Sequence, residues 1–160
     1  MKTAICPGSF DPVTLGHLDI IKRASGLFDR VIVLVAVNDQ KNCAFSPEER
    51  VQLIKKVTHG LENVEVDTCT GLIVDYAGKC GANAIVKGLR AITDFEYEFQ
   101  MALVNRKLDP SLETVFLTTS EEFMYLSSSA VKQVAYYGGQ IKEFIPPEIV
   151  DEVMKRLSRT

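Results

Sequence analysis

Residues 30–37 read RVIVLVAV, an apolar run rich in β-branched side chains and without polar alternation. A strand with one wet face alternates apolar and polar residues, so this run has no face to offer to water. It suits the middle of a parallel sheet that is covered on both sides. Parallel neighbours cannot be joined by tight hairpins, so helical crossovers must lie between the strands.

The rest of the chain supplies them. Short apolar runs at residues 3–6, 64–66, 84–86 and 115–117 give four further strands. Between the first two, Leu18, Ile21, Ala24 and Leu27 recur at helical spacing. Ser46, Pro47 and Glu49 form an N-cap, a first-turn proline and the closing residue of a capping box, with Val51, Ile54 and Val57 as the buried stripe. Residues 72–79 form a third helix, stopped by Gly81. Thr93-Asp94-Phe95-Glu96 reads as another capping box, opening a helix with Phe95, Phe99, Ala102 and Leu103 on one side. Residues 130–137 form a helix closed by Gly138-Gly139, and Pro146-Pro147 start a last helix carrying Ile149, Val153 and Leu157. No linker, low-complexity tract or repeat interrupts this order. The expectation is an α/β fold: residues 1–160 as one doubly wound, Rossmann-like domain with a five-stranded parallel sheet.

Composition narrows the function. Eighteen Lys and Arg stand against 21 Asp and Glu, giving a net charge of -3 with no cationic run. That excludes a duplex nucleic-acid surface but leaves room for a small anion held by a few local cations. No apolar stretch reaches membrane-spanning length and the start lacks a signal-peptide core, so no membrane role and a cytoplasmic location are expected. Cys6, Cys43, Cys69 and Cys80 show neither C-x-x-C spacing nor a nearby His, so they read as reduced thiols with no protein-built metal site.

Ligands of such folds bind beyond the carboxyl ends of the strands, at the point where strand order reverses. The residues there carry the chemistry. After the first strand comes PGSFDPVTLGH, where Thr14 can cap the following helix and place His17 in its first turn, a favourable seat for an anion. Lys87-Gly88-Leu89-Arg90 follows the fourth strand, and Ser127-Ser128-Ser129-Ala130-Val131-Lys132 lies beyond the fifth. Asn38-Asp39-Gln40-Lys41 follows the second. Alone, each is as well explained by a surface turn or a helix cap. Cations and hydroxyls converging from several strand ends describe a polyphosphate site.

These residues also resemble a known family. Thr14-Leu15-Gly16-His17 is similar to the T/H-x-G-H motif of the nucleotidylyltransferases, and Ser127 to Lys132 resembles their S-S-S-x-V-[KR] motif. PGSFDP, VKGLRAITDFEYEFQMALVNRKL and YLSSSAVK resemble the phosphopantetheine adenylyltransferases, and the likeness runs from Ile5 to about the last helix. The resemblance implies transfer of AMP from ATP to 4′-phosphopantetheine, giving dephospho-coenzyme A and pyrophosphate. It implies that His17 stabilises the transition state. ATP would meet Ser9, Phe10, His17, Gly88, Leu89, Arg90, Glu98 and the segment Phe123, Met124, Tyr125, Leu126, Ser127, Ser128, Ser129. Phosphopantetheine would meet Ser9, Lys41, Ile73 and Lys87, the last an Arg in many members. Mg²⁺, held mainly by ATP phosphates, a homohexameric assembly and feedback by coenzyme A are further implications.

The chemistry agrees with that resemblance. A phosphate nucleophile is already anionic at neutral pH, so neither a general base nor a covalent intermediate is needed. Catalysis becomes orientation and charge stabilisation, with His17, Lys41, Lys87 and Arg90 expected as the cations. Rival readings are a sister transferase acting on nicotinamide mononucleotide or using CTP, a class I aminoacyl-tRNA synthetase, for which the chain is too short, and a non-catalytic nucleotide sensor.

Overall fold

The computed structural model describes residues 1–159. Five strands, β1 (Thr3–Gly8), β2 (Arg30–Ala36), β3 (Val64–Cys69), β4 (Ala84–Leu89) and β5 (Glu113–Thr118), pair in the order β3-β2-β1-β4-β5. Every pairing is parallel. The run at residues 30–37 lies next to the centre as expected, and the absence of alternation has its reason there. Val33 and Val35 enter one core, against Leu53, Ile54 and Val131; Ile32 and Leu34 enter another, against Val74, Ala77 and Ile85. Both faces are covered.

Six helices supply that cover: α1 (Leu15–Leu27), α2 (Pro47–Thr58), α3 (Ile73–Cys80), α4 (Ile92–Leu108), α5 (Ser128–Tyr136) and α6 (Val150–Leu157). The Ser46 capping box is formed, with Glu49 Oε2 accepting the Ser46 N–H at 2.8 Å and Ser46 Oγ accepting the Glu49 N–H at 3.1 Å. Gly81 closes α3 in the left-handed conformation, φ 69°. No helix among the described residues is long and apolar enough to cross a membrane.

Several elements depart from their expected bounds. Strand β4 continues through Lys87 and Gly88 to Leu89, because its ladder with β5 extends to Leu89 against Thr118. Leu27 is exposed, and Ile20 replaces it in the buried face of α1. In α2 the buried set includes Leu53 and, unexpectedly, Arg50. Helix α5 starts at Ser128, two residues before Ala130, since Ser127 Oγ accepts the Ala130 N–H at 3.1 Å. Pro147–Ile149 forms a separate 3-10 turn, and α6 begins only at Val150.

The Thr93 capping box does not form. Helix α4 begins at Ile92, without a side-chain cap. The Asp94 carboxylate instead accepts the Arg90 N–H at 3.2 Å and its Nε–H at 3.1 Å, which ties the helix back to the end of β4. No residue of α4 is buried, and Phe95, Phe99 and Leu103 are all exposed.

The sheet opens where it matters. Strands β1 and β2 pair at six positions, whereas β1 and β4 pair only at Ala4 with Ala84 and Ile5 with Ile85. Beyond that point the two central strands part. Their carboxyl ends, Cys6–Gly8 and Val86–Leu89, flank a crevice at the reversal of strand order, the place where such sheets bind ligands.

Candidate active site

The turn after β1 is shaped by a glycine and an aromatic ring. A Cβ on Gly8 would lie 3.0 Å from the Phe10 ring, so glycine lets that ring fold back over the strand end without being pushed aside. Phe10 is buried, has φ 49°, and meets the His17 ring edge-on at 5.0 Å. Thr14 then caps α1 reciprocally with His17. The His17 N–H donates to Thr14 Oγ1 at 3.3 Å, and the Thr14 N–H donates to His17 Nδ1 at 3.0 Å. The imidazole thus plays the part that Glu or Gln plays in an ordinary capping box.

That contact fixes the ring's chemistry. Nδ1 accepts a backbone N–H, so a neutral imidazole carries its proton on Nε2. Burial, then the charges of Arg90 and Lys87, push the His17 pKa down to about 4. His17 is therefore a neutral hydrogen-bond donor in the free protein, which corrects the expectation that it is one of the cations. The main cause is burial, which disfavours the charged ring, and the cationic cluster adds to it by resisting a further positive charge.

A cleft of about 250 Å³ lies between the strand ends. Gly8, Phe10, Gly16 and His17 line one side, Lys87, Gly88, Arg90 and Glu98 the other, with Phe123, Leu126, Ser127 and Ser128 closing it. The starts of α1 and α5 both border it. The backbone N–H groups of Gly16, Ser128 and Ser129 have no acceptor among the described residues. Two helix N-termini with free donors favour an anion strongly. Arg90 spans the far wall, donating from Nη1 to the Leu126 carbonyl at 2.5 Å while its Nε holds Asp94.

The serine cluster works differently from expectation. Ser127 Oγ is occupied as a cap, and Ser128 Oγ donates to the Pro12 carbonyl at 2.7 Å. Their backbone N–H groups, rather than spare hydroxyls, are what the segment presents to a phosphate. Lys132 does not line the cleft; its ammonium pairs with Asp11 at 3.0 Å. Leu89, Met124, Tyr125 and Ser129 are likewise off the lining, and Tyr125 packs edge-on against Phe144 at 6.1 Å.

A second cleft of about 320 Å³ adjoins the first and brings together Ser9, Lys41, Ile73 and Lys87. Tyr97, Met101 and Asn105 of α4 complete it. Their i, i+4 spacing put them on one helix face in the sequence, but nothing local said which face would meet a ligand. Pro7, Gly8, Lys87 and Glu98 line both clefts. Lys87 Nζ sits at this shared wall, 3.2 Å from Glu98 Oε1 and 3.4 Å from the Pro7 carbonyl.

No group of three His, Cys, Asp or Glu side chains stands together among the described residues. The carboxylates lining the first cleft are engaged, Asp94 by Arg90 and Glu98 by Lys87. The donor set fits a divalent ion that arrives with its own phosphate ligands, and offers no protein cage for a resident one. Cys6 lies at the base of the first cleft, where burial pushes its thiol up to about 12 against the opposing pull of Lys87. It stays protonated at neutral pH.

Residues 5–134 match the cytidylyltransferase-like family model. A phosphopantetheine adenylyltransferase of Caldanaerobacter subterraneus subsp. tengcongensis is 55% identical over 160 residues, the full length of both chains. One of Clostridium botulinum is 56% identical over 156 residues, 98% of each chain. Among solved structures, the nicotinic acid mononucleotide adenylyltransferase of Plasmodium falciparum complexed with NaAD superposes with TM-score 0.71 over 97% of this chain and 96% of its own, at 14% identity. The bifunctional NMN adenylyltransferase/ADP ribose pyrophosphatase of Francisella tularensis, complexed with AMP and an Mn ion, gives TM-score 0.73 over 96% of this chain and 48% of its own, at 17% identity. At those identities the likeness shows a shared fold.

Proposed function

The chain belongs to the phosphopantetheine adenylyltransferases, within the cytidylyltransferase-like family, and from that premise we propose how its two clefts divide the reaction. It is a nucleotidyltransferase that moves AMP from ATP onto 4′-phosphopantetheine, giving dephospho-coenzyme A and pyrophosphate. In our reading the first cleft holds ATP and the second holds phosphopantetheine. The supporting observation is that Lys87 lines both, so one ammonium faces both reacting phosphates.

The acceptor phosphate oxygen forms the new bond to the α-phosphorus as the bond to the pyrophosphate oxygen breaks. Lys41, Lys87 and the Ser9 hydroxyl hold the acceptor phosphate, with Ile73 and the Tyr97–Met101–Asn105 face along the pantetheine arm. The free N–H groups of Gly16 and Ser128, which line the first cleft, receive the phosphates of ATP. The Nε2–H of His17 donates to an α-phosphoryl oxygen, more strongly as charge gathers there. A neutral donor serves this end, because hydrogen bonding to the transition state needs no proton transfer. Glu98 keeps Lys87 oriented, and Arg90 with Gly88 borders the nucleotide. Cys6, protonated and buried, offers no nucleophile, consistent with direct transfer.

Mg²⁺ held by triphosphate oxygens and water would neutralise part of the charge on the leaving pyrophosphate. The product spans both clefts, and coenzyme A, which shares its pantetheine and adenylyl parts, would compete there. Exposed Phe95, Phe99 and Leu103 on α4 support a homo-oligomer, with the hexamer of the resemblance as our reading and sedimentation as its check.

Pyrophosphate release from ATP, measured with a panel of acceptors, tests the reading. 4′-Phosphopantetheine should support turnover, and nicotinamide mononucleotide and pantetheine lacking its phosphate should not. Turnover with nicotinamide mononucleotide at a comparable kcat/KM would overturn it.

A further inference from the structure

Two charged side chains are buried outside both clefts. Asp11 and Arg50 are each 3% exposed. Neither lines a cleft, yet both join the same two segments. Asp11 sits in the turn after β1, between Phe10 and the cap Thr14. Its Oδ1 accepts the Phe45 N–H at 2.9 Å, and its Oδ2 accepts the Ala44 N–H at 2.9 Å. The same Oδ2 receives the Lys132 ammonium of α5 at 3.0 Å. From the opposite direction Arg50 of α2 donates from Nη1 to the Ser9 carbonyl at 3.0 Å and from Nε to the Ser46 carbonyl at 3.4 Å. The segment 44–46 follows Lys41 by a few residues, and α5 carries Ser127–Ser129 at its start.

A buried carboxylate is costly unless it is fully partnered. This one is, by two adjacent backbone N–H groups of the segment that follows Lys41 and by an ammonium of α5, so the carboxylate joins two separate parts of the chain to its own turn. Arrangements of this kind hold parts at fixed separation, since loss of any one partner leaves the others badly satisfied. The parts held here are the Lys41 loop, the Ser9–His17 turn and the start of α5.

We propose that Asp11 is a positioning residue for adenylyl transfer: its carboxylate locks the Lys41 loop and α5 to the Ser9–His17 turn, so that the acceptor phosphate and the α-phosphorus meet in line. This rests on the two-cleft reading above. Asp11 touches neither substrate. Its effect is on the distance between two bound groups, to which such reactions are steeply sensitive, a misplacement of about 1 Å costing on the order of 10²-fold.

Asp11→Asn separates this role from simple support of the fold. An amide has one acceptor and one donor end, so it can accept only one of the two N–H groups; its NH₂ opposes the other, and it carries no charge to hold Lys132. Lys132 is 32% exposed and can turn to water, so the variant keeps a solvated partner. With ATP and 4′-phosphopantetheine, kcat should fall by about 10–10²-fold, while the ATP dissociation constant by calorimetry stays within about threefold. Lys132→Met, which removes one tie at a half-exposed site, should lower kcat severalfold and should add nothing in the Asp11→Asn background, because both changes break the same junction. Proportional loss of kcat and ATP affinity, kcat of Asp11→Asn within twofold of wild type, or additive effects of the pair would overturn the proposal. Should Asp11→Asn fail to fold, Lys132→Met decides alone: an unchanged kcat overturns it. Wild-type protein inactive on phosphopantetheine would instead refute the two-cleft reading, so the two failures are distinct.

Discussion

His17 carries two jobs that one pair of substitutions pulls apart. Its Nδ1 caps α1 by accepting the Thr14 N–H, and its Nε2–H is the donor we assign to the α-phosphoryl oxygen. His17→Ala removes both. Loss of one donor to a developing oxyanion costs about 2.7–4 kcal/mol, so kcat should fall by about 10²–10³-fold. Loss of the cap acceptor should cost about 0.5–1.5 kcal/mol of stability, lowering the melting midpoint by a few degrees in a chain of this size. His17→Asn places an amide oxygen near the position of Nδ1 but no donor at that of Nε2. It should recover the melting midpoint and leave turnover low. ATP affinity should change little in either variant, because the N–H groups of Gly16 and Ser128, with Lys87, remain. Steady-state kinetics, calorimetry with ATP and thermal melts read the three quantities. If kcat and ATP affinity fall in proportion, or if Asn restores turnover along with stability, then His17 is a ground-state binder or a cap, and the transition-state assignment is wrong.

Lys41→Ala should raise the KM for phosphopantetheine about tenfold or more while an ATP titration stays nearly unchanged, since Lys41 lines only the second cleft; equal losses would refute the division. The pH dependence of stability follows from His17, which protonates near 6.5 when unfolded and about 4 when folded. Between those values the unfolded chain binds the extra proton, so its contribution is complete above 6.5 and is lost as pH falls towards 4. That gap corresponds to at most about 3 kcal/mol. Urea melts from pH 7 to 4 should therefore show a steeper loss for wild type than for His17→Asn, and parallel slopes would show that His17 is not held neutral.

Much of this architecture could be read from the chain. The unalternating run of β2, the Thr14 and Ser46 caps and the left-handed Gly81 are local signals, and each appears where local chemistry puts it. The strand ends were harder. Lys87 and Gly88 look like a turn but complete the ladder of β4, because its pairing with β5 runs on to Leu89 after β1 has parted from it. Thr93-Asp94-Phe95-Glu96 has the letters of a capping box, yet Arg90, a residue outside the motif, takes the Asp94 carboxylate. The family motifs pointed to many of the residues that line the two clefts, whereas the protonation and partners of those residues were not legible. That His17 is neutral depends first on its burial in the folded chain and then on the nearby Arg90 and Lys87, and that Lys132 turns away depends on Asp11. Asp11 and Arg50 gave no signal, since a lone acid or base in a sequence is most often solvated and their partners lie some 30 to 120 positions away.

The central claim is that the two clefts present acceptor and donor phosphates to each other for one in-line displacement, with no adenylyl-enzyme between. The configuration at phosphorus reports this directly. With a single diastereomer of ATP bearing sulfur on the α-phosphorus, and 4′-phosphopantetheine as acceptor, phosphorus NMR of the thio-substituted product reads the stereochemical outcome. A single displacement inverts the centre, and inversion is the expected result. Retention would require two displacements through a covalent intermediate, and would contradict the account.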